Sequence, residues 1–135
     1  MVSGQVARAD EVADVATKWG LIGTWRLNCG RPAGPQNPGV AFSVQDGKVI
    51  EERDSGETRL SGEVKSAAIR PDSALILVIA YPAIRQTREI IEIRYGRDTR
   101  RIQSDRNLET NEHAVENGRF TGSDEMTPAV QLCER

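Results

Sequence analysis

The residues able to do chemistry are few and far apart. The chain has 135 residues with one histidine, His113, and two cysteines, Cys29 and Cys133. A lone imidazole without a neighbouring cysteine or second histidine lacks the donor set of a zinc centre. His113 is therefore expected to face solvent in a polar strand near a turn, and no metal site is expected. The same imidazole would have to serve any Ser-His-Asp relay, and no Gly-x-Ser-x-Gly elbow is present. Gly30, Gly34 and Gly39 alternate with prolines and lead into no helix pattern, so they do not build a phosphate cradle. Glu51 and Glu52 are adjacent, and neighbours on a strand point to opposite faces, which disfavours a shared carboxylate site. No catalytic residue and no cofactor are expected, and the chain reads as non-enzymatic.

Two features remain. Cys29 lies early in the chain and Cys133 two residues from its end. A bridge between them would enclose nearly the whole domain, and for a loop of about 100 residues the chain-entropy gain is at most roughly 4.7 kcal/mol. The other reading is two separate buried thiols in a reducing compartment. Residues 85–106 hold seven arginines against four acids in a chain of net charge −2. Most of these arginines are expected on outward strand positions. Arg106 is the exception, because it shares a period-2 face with Ile102 and Leu108. If that face lines a core, its guanidinium needs a buried partner. Tyr95 ends another apolar face, Ile91-Ile93-Tyr95, and its hydroxyl could reach the same interior. Arg106 and Tyr95 are the candidate ligand contacts.

The elements that must position these residues are mostly strands. A length of 135 residues fits one domain, read here as residues 10–135 behind a tail or signal-peptide remnant over 1–9. Ala7-Arg8-Ala9 has the small-x-small form that precedes signal-peptidase cleavage, without the apolar region such a signal needs upstream. Asp10 can cap a helix that places Val12, Val15, Ala16 and Trp19 on one face, with Gly20 as its stop. Beyond it, alternating segments are separated by turn signals. Asp46-Gly47 and Asn117-Gly118 are the strongest hairpin turns. "NCGRPAGPQNPG" reads as a long loop, and "ALILVIAY" as the most buried strand, apolar on both faces. "TRLSGEVKSAAI" holds either one strand broken at Gly62 or two short ones. Eight or nine short strands at regular spacing describe an all-β sandwich or an up-and-down antiparallel barrel.

Composition narrows the function classes. Hydrophobic residues are 38%, aromatics 4% and charged residues 28%, so the core rests on small aliphatics and the surface is mixed in sign. A pI near 5.5 carries no basic excess for nucleic acid. The longest apolar run, Ala74–Ala80, is strand-sized and far short of the roughly 20 residues of a membrane-spanning helix.

Gly23-Thr24-Trp25, behind a short helix and ahead of hairpin-linked strands, resembles the calycin superfamily of lipocalins, fatty-acid-binding proteins and avidins. The resemblance implies a barrel of about eight strands, closed at one end by the tryptophan with a late arginine packed across it. Arg119 or Arg106 would be that arginine, Trp19 and Trp25 would seal the end, and a cysteine near the C-terminus would bridge to an earlier strand. The chain also resembles small exported bacterial proteins of unknown function. Their pattern is Gly-x-Trp, a cysteine before a Pro/Asn-rich loop (Cys29–Pro38) and a terminal Thr-Pro-x-x-x-Leu-Cys (Thr127–Cys133). Together these give an expectation: a periplasmic or secreted barrel, not membrane-spanning, that binds a small apolar or amphipathic ligand. The alternative is a protein-interaction module, such as a protease inhibitor acting through an arm at residues 1–9, or an envelope-associated structural protein.

Overall fold

Helix α1, Ala9–Trp19, opens the structure, a computed structural model that describes residues 9–135. The tail or arm expected over residues 1–9 therefore lies, except for its last residue, outside the described residues. Val12, Ala16 and Trp19 recur at helical spacing and are all buried. The helix stops at Gly20 (φ +93°), whose N–H donates to Thr17 O while Leu21 N–H donates to Ala16 O. That is the paired bonding of a glycine C-cap, which only a left-handed residue permits without strain.

Ten strands follow. They are β1 (Gly23–Arg26), β2 (Gly39–Gln45), β3 (Lys48–Asp54), β4 (Arg59–Ile69), β5 (Leu75–Tyr81), β6 (Gln86–Tyr95), β7 (Thr99–Asn107), β8 (His113–Glu116), β9 (Arg119–Phe120) and β10 (Val130–Glu134). All pair antiparallel, mostly in sequence order. β10 returns to lie between β1 and β7, which closes β1 to β7 and β10 into an eight-stranded barrel. The strand count is thus one or two above the sequence reading, because β8 and β9 form a hairpin that extends from β7 outside the ring. Residues 59–69 form one strand, with Gly62 inside it rather than at a break.

β7 changes partner along its length. Thr99 and Arg100 pair with β10, whereas Asp105 and Arg106 pair with β8. The upper half of β7 has therefore left β10, and the 127–130 connection crosses beside the gap. Hairpin turns at Asp46-Gly47 and Asn117-Gly118 carry the two consecutive positive φ values of a tight primed turn.

α1 packs across β3 and β4 and seals one end of the ring. Trp19 is buried there, its Nε1 donating to Ser73 O of the β4–β5 turn at 2.8 Å. Trp25 is fully buried above it and donates to Leu21 O at 2.9 Å. Gly23 lets β10 approach: a Cβ at this position would stand 2.4 Å from Glu134 O. The glycine of Gly-x-Trp is thus required by the closing strand pair. Leu75, Leu77 and Ile79 fill the middle of the barrel with Phe42, Val49, Val64 and Ile90. Fully burying each aliphatic or aromatic side chain contributes about 1.5–3 kcal/mol.

The two cysteines form a disulfide, Cys29–Cys133, with Cα atoms 5.3 Å apart and a sequence separation of 104. It ties the exit of β1 to the end of β10. No helix among the described residues is long and apolar enough to cross a membrane.

Candidate functional site

At the end away from α1 the barrel opens into a cavity of about 460 Å³. Strand alternation decides what enters it. On β3, Val49, Glu51 and Arg53 share the inward face, and on β6 Arg88, Ile90 and Glu92 do so. On β7, Arg100 and Ile102 point inward. A register irregularity opposite Ile91 and Glu92 then inserts Gln103 as an extra residue and switches the parity, so that Asp105 points inward and Arg106 outward.

The interior is therefore charged, in three matched sets. Arg100 Nη1 donates to Glu92 Oε2 at 2.6 Å, with 4% and 3% of the two side chains exposed. The Arg100 guanidinium lies over the Trp25 ring, 4.7 Å from its centroid, and 5.4 Å from that of Phe42. Tyr81 Oη donates to Glu51 Oε1 at 2.5 Å, and Arg53 donates to both, Nε to Glu51 and Nη2 to Tyr81, each at 3.0 Å. Arg88 Nε donates to Asp105 Oδ1 at 2.6 Å. Gly62 makes room for this network, because a Cβ there would come within 2.7 Å of Ile79 and of the Tyr81 ring.

Burial sets the proton affinities. Desolvation pushes the Glu92 carboxyl above its usual value of 4.5, and Arg100 pulls against that shift. Burial, followed by the Glu51 charge, pushes the Tyr81 hydroxyl well above its usual range, so it stays protonated and remains a donor. Burial works against the charge of Arg53, and Glu51, Tyr81 and Asp105 together more than offset it. Among the described residues no group of three or more His, Cys, Asp or Glu side chains is placed to hold a metal ion.

The cavity has this charged floor and mostly apolar walls, with Thr58, Arg101 and Thr127 among them. Glu51, Arg53, Glu92 and Arg100 form the base, while Val40, Leu60, Ile102, Phe120, Pro128 and Val130 line the sides. Pro38 and Ser55 stand at its rim, where β2 begins and β3 ends.

No known family model, curated protein or solved structure matches the chain. The closed eight-stranded antiparallel barrel is compatible with a calycin-like fold, and the likeness stands on that architecture.

The sequence-derived site residues fall on both sides of the barrel wall. Trp19 and Trp25 are buried at the closed end. The arginine over Trp25 is Arg100, and neither Arg106 nor Arg119 takes that place. Arg106 is turned outward by the Gln103 irregularity and binds Glu89 and Asn111 on the outer face. Arg119 is exposed on β9 and donates to Asp124 O. Tyr95 is 48% exposed at the end of β6, where its hydroxyl accepts from Arg101. The face read as inward, Ile91-Ile93-Tyr95, is the outer one. His113 is partly exposed, with Nδ1 3.8 Å from Glu116.

Sequence reasoning missed Glu51, Arg53, Tyr81, Glu92 and Arg100. A signal did exist on β3: in "KVIEERD", Glu51 and Arg53 share the period-2 face of Val49 and carry opposite charge.

Proposed function

We propose that the barrel binds one small amphipathic molecule in its open end and does no chemistry on it. The observation that carries this reading is the cavity itself, about 460 Å³ with mostly apolar walls over a buried polar floor. Ligand pockets of about 300–1,000 Å³ with mostly apolar lining and a few placed polar groups have this form. The charged floor supports binding rather than catalysis, because each carboxylate is engaged by an arginine and the Tyr81 hydroxyl is held protonated. The sulfur chemistry bears on the compartment. A disulfide persists in oxidising surroundings, which supports the periplasm or the cell exterior as the place of work.

Native mass spectrometry of the protein purified from its own host, without denaturant, tests the reading. One small-molecule adduct per chain is expected, weakened in Val130→Trp, which narrows the cavity. A bare chain mass in every preparation, or an adduct whose abundance is unchanged in Val130→Trp, overturns it.

A further inference from the structure

β10 is the strand that closes the ring, and few contacts besides the disulfide hold it there. Against β7 it pairs through Val130 with Arg100 and Gln131 with Thr99. Against β1 it pairs at Thr24, Trp25 and Arg26, and that ladder is irregular between Thr24 and Trp25. The Leu132 N–H donates to Asp98 O, and Thr99 Oγ1 donates to Gln131 Oε1. Val130 and Leu132 touch the core without being fully buried, and no other side chain of β10 is buried either. β5, by contrast, is paired along most of its length on both sides. Elements with few buried contacts open locally while the rest of a fold stands.

The same segment is a wall of the cavity. Thr127, Pro128 and Val130 line it on the side where the upper half of β7 has left β10. A seam that parts between β10 and its neighbours takes this wall away.

The bond that holds the seam is open to attack. Cys29 is exposed and Cys133 is half-buried. Neither cysteine lines the cavity, so a thiol can approach from solvent while the cavity is occupied. In oxidising surroundings such a bond persists until a reductant reaches it, and exposed bonds are the labile ones.

Resting on the ligand-binding reading above, we propose that Cys29–Cys133 is a redox latch on the cavity, opened by a protein dithiol. A thiolate of the dithiol attacks the sulfur of Cys29, the more exposed cysteine, and forms a mixed disulfide. Cys133 leaves as a thiolate and takes up a proton. The second sulfur of the dithiol then displaces Cys29, which is protonated in turn. Two electrons and two protons pass in all: the dithiol ends as a disulfide and the barrel holds two thiols. The β10 seam then parts, and the ligand loses the wall of Thr127, Pro128 and Val130.

The test is amide hydrogen exchange on the intact protein, oxidised and after reduction with dithiothreitol. It is run beside titration with the neutral fluorescent probe N-phenyl-1-naphthylamine. A bond that acts on the unfolded chain alone would, once reduced, lower the protection of all core amides by one common factor. A latch adds a local loss. The protected amides of Val130–Glu134 and of their β1 and β7 partners should lose roughly tenfold more protection, or beyond, than those of Leu75–Tyr81. The probe should bind roughly tenfold or more weakly to the reduced protein and recover when the bond is re-formed. The variant Cys29→Ser, Cys133→Ser should match the reduced protein and ignore dithiothreitol. Equal losses of protection in β10 and β5 overturn the latch. So does collapse of the near-UV dichroism on reduction, or probe affinity that reduction leaves unchanged. If the probe binds neither form, the cavity reading fails and takes ligand control with it, while exchange still decides whether the seam parts.

Discussion

Replacing Arg100 with Met leaves Glu92 as a lone carboxylate in the barrel floor. The two side chains are 4% and 3% exposed, so the carboxylate is poorly hydrated where it stands. Removing one partner of a buried pair costs about 3–5 kcal/mol. Loss of the contact over Trp25 adds about 0.5–2 kcal/mol, and the methionine stem recovers part of the packing. A net loss near 4 kcal/mol is a large share of the ~5–15 kcal/mol that holds a domain folded. With a urea slope of about 2 kcal/mol/M, the midpoint should fall by roughly 2 M, read by tryptophan fluorescence.

The loss should also depend on pH, with a definite sign. Burial raises the Glu92 carboxyl above 4.5 in the folded protein, so the folded state binds the proton more tightly than the unfolded chain. Its contribution is fully present below about pH 4.5 and is lost as pH rises through the folded value. Without Arg100 the folded value climbs further, each unit adding about 1.4 kcal/mol to the cost of ionising. Arg100→Met should therefore be hurt more near pH 8 than near pH 5. Adding Glu92→Met removes the stranded charge, and the paired variant should return to within about 1 kcal/mol of the parent or exceed it. A single variant that loses less than about 1 kcal/mol, or a pair no more stable than the single, would refute the reasoning.

Two further predictions concern the frame. Cys29→Ser with Cys133→Ser should lower stability by up to roughly 4.7 kcal/mol in urea melts, and the parent's non-reducing mass should be two hydrogens below its reduced mass; equal masses would overturn the bridge. Gly62→Ala should cost about 1–3 kcal/mol, because the new methyl group meets the Tyr81 ring and Ile79, and near-UV dichroism should report the displaced tyrosine; an unchanged melt would mean that β4 relaxes around it.

What the sequence reveals and what it hides divide along one physical line. Elements fixed by local chemistry were legible: the α1 stripe, the Gly20 stop, the Asp46-Gly47 and Asn117-Gly118 turns, and the all-β barrel built from them. The contents of the lumen were not. Period-2 reading sends apolar residues inward, and on β6 it turned Ile91 and Ile93 toward the core. The barrel instead takes in Arg88 and Glu92, since each has a partner on β7 that no single strand displays. Arg106 was misplaced for a second reason: one extra residue at Gln103 inverts every later side chain of β7, and such an irregularity has no composition signal. Arg100 was passed over because its charge reads as surface until Trp25 and Glu92 are seen beneath it.

The bridge between Cys29 and Cys133 also decides how the molecule carries force. Tension applied at residues 9 and 135 runs through α1 and β1, crosses the sulfur atoms and leaves by the last two residues. It tests the pairing of β1 with β10 and passes the hairpins from β2 to β9 by. For the same reason, one backbone cut anywhere between the cysteines still leaves a single covalent molecule. Reduction turns this closed circuit into an open string, and only then does a pull load the walls of the cavity or a nick divide the chain in two.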